Sequence, residues 1–278
     1  MQKGWTRNML PQTDQAGLTA RMGRAREVLV RAMDHFGDGL WLAWTGAKDS
    51  TLVLWLARGI CLETGREMPR VVTIDEGDPF PEVLAFQDRL IREWGLRRLV
   101  VRNEELLGRG RCLGDLVVLD ELSPALRQMA ATLGFTAPVF PLDPESPLGN
   151  QLLKVAPLQA FLREYAVRAL ATAIRADEHP SRAGERHESP REHPPHTRVH
   201  PLLHVSEADV WAVTLGEGVP FCELYAAGYR SLGTRSGTSR TGDRPAWEQD
   251  LGDRAAERAG RAQGKEAAMA DLRSLGYM

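Results

Sequence analysis

The segment Thr45-Gly46-Ala47-Lys48-Asp49-Ser50 concentrates more potential chemistry than any other stretch of the chain. Small residues at 46 and 47 let a ligand approach the backbone closely, Thr45 and Ser50 supply hydroxyls, and Lys48 supplies a full positive charge. An apolar run from Leu40 to Trp44 precedes the segment, and an amphipathic stretch follows it to about Cys61. A turn between a strand and a helix adds unpaired N–H groups and the positive end of the helix dipole. Together these groups suit a pyrophosphate. The GxxxxGK[ST] phosphate loop occurs nowhere in the chain, so this is a different phosphate-binding design. Asp49 or Ser50 is expected to cap the helix.

Other residues invite chemical readings of different weight. Asp75 ends the predicted strand Arg70 to Asp75, and ligands gather at the carboxyl ends of strands in open sheets. His193, His196, His200 and His204 have a spacing that suggests a metal. The first two flank Pro194-Pro195 and the last two alternate along a predicted strand, so packing and solvation are expected and no metal site is assigned; His200 is the one placed to face a nucleotide pocket. The seven tryptophans read as core. The arginine-rich stretch 182–198 also carries Glu185, Glu188 and Glu192, and the chain has a formal net charge of −2, so no nucleic-acid partner is expected. Cys61, Cys112 and Cys222 form no close pair and read as free thiols in a reducing compartment. With neither a signal-peptide core nor a long apolar run, the expected location is the cytoplasm, away from the membrane.

The elements that must position these groups follow from periodicity. A helix is expected over 12–36, stopped by Gly37-Asp38-Gly39. Strand Leu40–Trp44, strand Arg70–Asp75, helix Pro81–Trp94 and strand Leu96–Val101 continue the alternation. Alternation at this length argues for an α/β fold, a parallel sheet with helices on both faces. Residues 108–148 give no clear pattern. A helix over Lys154–Tyr165, a strand over Ala166–Ile174, a long polar loop over 175–198, a strand over Val199–Val205 and a helix capped at Ser206-Glu207-Ala208-Asp209 follow. Residues 228–250 read as flexible and 253–274 as a charged, Ala-rich helix. The expected division is a nucleotide-binding domain over 1–205 and a helical and loop extension over 206–278.

The segment around Lys48 resembles the SGGKDS loop of PP-loop ATP pyrophosphatases, with Thr45 for Ser and Ala47 for the second Gly. Thr73-Ile74-Asp75-Glu76-Gly77 with Phe80-Pro81-Glu82, Leu153-Lys154-Val155-Ala156-Pro157-Leu158, Arg175-Ala176-Asp177-Glu178 with Ser181-Arg182, Val199-His200-Pro201-Leu202 with Ser206 to Trp211, and Gly228 to Gly233 resemble, in order, segments of the phosphoadenosine-phosphosulfate reductase superfamily. Glu257-Arg258-Ala259-Gly260-Arg261 and the stretch from Met269 to Met278 resemble the tail of the ATP-hydrolysing small subunit of two-component sulfate adenylyltransferases. The resemblance implies an adenine nucleotide alpha hydrolase-like, Rossmann-like fold with an irregular C-terminal extension.

It also implies a chemistry. The superfamily's reductases need a cysteine near the C-terminus, and its iron–sulfur members need paired cysteines; here no cysteine follows Cys222, and Gly149-Asn150, Thr234 and Gly237 hold the cluster positions. No iron–sulfur cluster is expected. What the resemblance implies instead is adenylyl transfer from Mg²⁺-ATP to a small anion, sulfate first. Lys48, Asp49 and Arg175 would serve catalysis; Thr45, Gly46, Ala47, Ser50, Asp75 and Gly77 would bind the nucleotide; Arg175 and Arg182 would offset the charge of the acceptor. A GTPase large subunit is implied as partner, and homo-oligomerisation is left open. Two alternatives stand beside this: another sulfur-transfer or thiolation pathway, and a non-catalytic nucleotide-binding homologue, suggested by Ala47 and by Thr172 and Ala173 where the family has glycines. Lys48→Ala is expected to abolish activity and leave the fold intact.

Overall fold

The computed structural model describes residues 14–108, 110–182, 184–253 and 257–261. Helix α1 (Gln15–Phe36) is capped by the Asp14 carboxylate, which accepts from the Gly17 amide. Strand β1 (Leu40–Ala43) leads through the Thr45–Ala47 turn into α2 (Lys48–Thr64). Strand β2 (Arg70–Asp75) and α3 (Pro81–Trp94) fall on their predicted residues, with Pro81 in the first turn, where its missing N–H costs no bond. Strand β3 spans Arg98–Arg102. A cluster of short elements follows: α4 (Glu104–Leu107), β4 (Leu116–Val118), α5 (Pro124–Thr132), β5 (Val139–Pro141) and α6 (Pro147–Asn150). After them come α7 (Ala156–Glu164), β6 (Ala169–Ala171), β7 (Glu188–Glu192), β8 (Pro195–Val199) and α8 (Glu207–Gly216).

Six strands make the main sheet in the order β3-β2-β1-β6-β8-β7, parallel except for the antiparallel edge strand β7. Side chains alternate across it. Leu40, Leu42, Val71, Ala169 and Ala171 join one core with residues of α1, α2, α3 and α8. Trp41, Val72 and Leu170 point the other way, onto Leu158, Phe161 and Leu162 of α7. Helices on both faces and a parallel interior are the expected α/β fold. Strands β4 and β5 form a small antiparallel sheet with its own core around Leu106, Phe140 and Leu152. The first core also includes Val210, Trp211, Tyr225 and Trp247, so the part expected to be an appended extension packs into the main body. Among the described residues no helix is long and apolar enough to cross a membrane.

Several expectations need correction. Residues 175–198 are not one loop: they contain β7 and the start of β8, joined through His193-Pro194, and the strand expected over Val199–Val205 ends at Val199. The helix expected from Lys154 begins in a π-helical stretch, Gln151–Val155, ahead of α7; Pro157, which lacks an N–H, then sits in the first turn of α7. The strand expected over Ala166–Ile174 is only three residues long. Ser206 caps α8 in a full capping box with Asp209, as its spacing predicts, and Arg21 of α1 makes a two-pronged bond to the same Asp209 carboxylate, at 2.8 and 2.7 Å. Within 228–250, Arg230, Thr234, Thr238 and Trp247 are buried. Most of the helix expected over 253–274 lies outside the described residues; Glu257–Arg261 forms a turn whose Arg261 bridges to Thr238.

Candidate active site

The chain runs outward from β1 to β2 and β3, then returns to place β6 on the other side of β1. Such a reversal opens a crevice beyond the carboxyl ends of the two strands, the usual place for a ligand in open α/β sheets. The crevice here is a cleft of about 340 Å³. Its walls include Thr45, Ala47, Lys48, Asp49 and Ser50 after β1, Asp75 and Glu76 after β2, Thr172 to Ile174 after β6, Glu178 and Arg182, Ser231 to Thr234, and Arg258 and Arg261.

The turn after β1 is held from several directions. Trp44 donates its indole N–H to Thr51 at 3.1 Å, and Thr73 bonds the Trp44 carbonyl at 2.9 Å, pinning both ends of the turn. Gly46 has φ = +79°, and a side chain there would meet Val83 at 2.8 Å, so both backbone and space demand glycine. Ala47, with no side-chain bond, is the helix cap. Ser50, expected as a cap, instead donates back to the Ala47 carbonyl at 3.0 Å and accepts from the Thr45 amide at 3.3 Å. Two further amides have protein partners: Ala47 N–H reaches Thr45 Oγ1 at 3.3 Å, and Lys48 N–H reaches the Tyr225 hydroxyl at 2.9 Å. The amides of Gly46, Asp49 and Ser50 take no partner among the described residues. The turn thus offers three open N–H groups, and its own hydroxyls occupy the mouth from Thr45 to Ser50, 3.1 Å apart.

Lys48 is buried, and its ammonium lies 2.8 Å from Glu257, 3.3 Å from Asp49 and 3.8 Å from Glu207. Burial alone would lower its pKa; the three carboxylates outweigh burial and hold it well above the usual lysine value. Arg175, fully buried, spends all three guanidinium nitrogens on carboxylates: Nε on Asp177 at 3.0 Å, Nη1 on Asp49 and Nη2 on Glu257. It sits behind the cleft rather than on its wall, so the expected direct contact between Arg175 and an acceptor anion is replaced by a clamp that fixes Asp49 and Glu257. Arg182 does line the cleft. It and Arg258 share one carboxylate, Glu178, and Arg182 Nε has no protein partner among the described residues. Asp75 is on the cleft wall, accepting from Gly77 N–H at 2.8 Å with Arg102 at 3.5 Å. Gly46 and Gly77 shape the turns without lining the cleft. Among the described residues no three His, Cys, Asp or Glu side chains gather as a metal site. Asp49, Asp75, Glu76, Asp78 and Glu178 are the carboxylates that line the cleft.

Glu178, Glu207, Tyr225, Arg230, Glu257, Arg258 and Arg261 are site residues that motif reading did not single out. Each lies in or beside a segment of the resemblance, but nothing local signals that residues 48, 175, 207 and 257 share one charge cluster. Gly233 belongs with them: a Cβ there would meet the Arg261 guanidinium at 2.1 Å, so the glycine lets that guanidinium lie against the backbone.

The buried carboxylates make stability depend on pH. Burial opposes ionisation of Glu178 and Glu257, but Arg182 and Arg258 at the first, and Arg175 and Lys48 at the second, outweigh it and lower both pKa values. A carboxyl whose folded pKa is depressed contributes stability above its unfolded value, about 4.3, and loses it as pH falls toward the folded value. Glu207 has the opposite sign: burial, with Glu257 nearby, raises its pKa, so ionising it opposes folding above that same unfolded value. With Glu185 and Asp209 also lowered, four depressed carboxylates against one raised predict that urea midpoints drop between about pH 5 and pH 3, and that Glu178→Gln flattens the drop. Midpoints that do not change over that range count against the cluster.

Fold and site together point to a class: residues 145–240 of the chain match the phosphoadenosine phosphosulfate reductase domain. More particularly, it is similar to sulfate adenylyltransferase subunit 2 of Azospirillum brasilense, at 28% identity over 219 residues, covering 70% of this chain and 63% of that protein. The protein of the same name from Rhizobium sp. (strain BR816) is 26% identical over 245 residues, covering 80% and 72%. The chain therefore spans less than two thirds of the Azospirillum protein. Among solved structures, Candida glabrata FMN adenylyltransferase shares the fold with a TM-score of 0.63 at 17% identity, covering 91% of each chain. Phosphoadenylyl-sulfate reductase from Candida auris, in a phosphate complex, does so with a TM-score of 0.56 at 17% identity, covering 83% of this chain and all of that one.

Proposed function

We propose that the chain transfers the adenylyl group of ATP to a small oxyanion, with sulfate as the acceptor. The observation that carries this reading is the pairing, across one cleft at the strand reversal, of the open amides at the start of α2 with two arginines, Arg182 and Arg258, that share a single carboxylate. The amides suit the leaving pyrophosphate and the arginines a second anion. The names of the similar adenylyltransferase subunits support sulfate as that anion.

In this reading a sulfate oxygen attacks the α-phosphorus, the bond from that phosphorus to the bridging oxygen breaks, and the electron pair leaves with pyrophosphate. Lys48 exchanges a carboxylate partner for a phosphate oxygen, and the amides of Gly46, Asp49 and Ser50 receive the phosphates. Arg182 and Arg258 offset the repulsion between two anions. Mg²⁺ carried on the phosphates would neutralise charge there, and Asp75 would hold its waters. A sulfate–phosphate anhydride is less stable than ATP, which motivates the GTPase large subunit as a partner that drives the reaction. The test is sulfate-dependent exchange of labelled pyrophosphate into ATP, with and without that subunit; no exchange in either arm sinks the assignment. The pairing of Lys48 and Arg175 with carboxylates favours one second reading, a nucleotide-binding protein without turnover. Calorimetric ATP binding with no pyrophosphate release would select it.

A further inference from the structure

Thr172 follows β6 directly, beside β1, and lines the cleft. Its amide donates to the Val199 carbonyl at 2.8 Å, which fixes the residue in place. Its hydroxyl lies 2.8 Å from Nδ1 of the buried His200, and Nε2 of that ring lies 3.5 Å from Glu185. Glu185 is held in turn by the Ser189 hydroxyl and by Arg191, at 2.5 and 2.7 Å. A chain of polar groups therefore runs from the cleft through Thr172 and His200 to a fixed carboxylate.

The proton positions along this chain follow from charge. Burial lowers the His200 pKa, so the ring is neutral near pH 7 and carries one N–H. The His200 contact, before other causes, keeps Glu185 well below the ordinary carboxylate range, so it is ionised. A lone pair on Nε2 would face that carboxylate and be repelled, so the ring proton belongs on Nε2. Nδ1 is then an acceptor, and the Thr172 hydroxyl must donate to it. With its one proton committed, the Thr172 oxygen offers the cleft only lone pairs. Such an oxygen repels phosphate and sulfate and accepts from a neutral O–H or N–H.

We infer that Thr172, oriented by His200 and Glu185, is a specificity-determining acceptor that reads a neutral donor on the nucleoside half of ATP, either a ribose hydroxyl or the adenine amine. The inference rests on the nucleotide reading of the cleft and adds an orientation to it: the nucleoside lies against Thr172, and the phosphates lie toward the start of α2. His200 is a positioning residue, since it acts only through the hydroxyl.

Calorimetry with ATP, 2′-deoxy-ATP, 3′-deoxy-ATP and the triphosphate lacking the 6-amino group tests this on wild type, Thr172→Val and Thr172→Ser. Wild type is expected to prefer ATP over one of the three analogues by about five- to tenfold, the effect of one buried hydrogen bond, and that analogue identifies the donor. Thr172→Val, which keeps the side-chain shape, is expected to bind ATP as weakly as that analogue, whereas Thr172→Ser keeps the preference. Equal weakening of all four ligands by valine, no weakening at all, or a serine variant that behaves like valine overturns the inference while leaving ATP binding standing. Wild type that binds none of the four overturns the nucleotide reading and this contact with it.

Discussion

Lys48→Ala is expected to lower sulfate-dependent ATP–pyrophosphate exchange by about 10²- to 10³-fold, the usual cost of removing one preorganised group that stabilises charge in the transition state. The same substitution is expected to destabilise the protein, against the expectation from sequence that the fold would be unharmed. Lys48 is the buried cation between Glu257, Asp49 and Glu207, at 2.8, 3.3 and 3.8 Å. Removing one partner of a buried ion pair costs about 3–5 kcal/mol, because the remaining charge is left in a medium that solvates it poorly. Exchange assays therefore belong at a temperature where circular dichroism shows the variant folded. If the folded variant exchanges pyrophosphate at the wild-type rate, Lys48 is an internal ion-pair partner and the phosphate role assigned to it is wrong.

The second large effect is expected at Arg175. Its three nitrogens bond Asp177, Asp49 and Glu257, and no part of the side chain reaches solvent. Arg175→Met takes a cation from three carboxylates, leaving Asp49 and Glu257 with Lys48 and stripping Asp177 of this partner. A loss of about 3–5 kcal/mol is expected, which lowers the melting temperature by on the order of 10 °C for a chain of this size. Arg175→Lys is expected to recover little, since one ammonium cannot span acceptors that a planar fork reaches together. Differential scanning calorimetry separates this role from direct anion binding. A methionine variant that melts like wild type and shows only a raised sulfate KM would mean that Arg175 faces the acceptor.

These two residues show what the sequence makes legible and what it hides. Strand Arg70–Asp75 and helix Pro81–Trp94 are readable because hydrophobic periodicity and a proline in the first turn are local signals. The turn after β1 is readable because its residue types are few and its flanks are regular. Strands β7 and β8 are hidden because Glu188–Val199 is polar and carries Pro190, Pro194 and Pro195. Proline is tolerated at a sheet edge and at the first residue of a strand, where Pro190 and Pro195 sit, but it removes the sequence signature of both. The cluster of short elements between β3 and α7 gives no pattern because three- to nine-residue segments are too brief for periodicity to register. At the site, type and charge identify Lys48 and Arg182 as cations, but only the assembled chain reveals which carboxylates they meet.

Glu257 holds both Lys48 and Arg175, although it lies 209 residues beyond the first and 82 beyond the second. Contacts so distant along the chain form late, since a long loop must close before they return any free energy. Until the Glu257 turn docks, the two cations share Asp49 but lack the second carboxylate that holds both, and the turn after β1 keeps part of its charge hydrated. The strand-and-helix body can collapse on local contacts, whereas completion of the Lys48 charge cluster waits for one of the most distant partnerships in the molecule. A clip or substitution near residue 257 thus reaches the Lys48 and Arg175 cluster from a distant part of the chain without touching the turn.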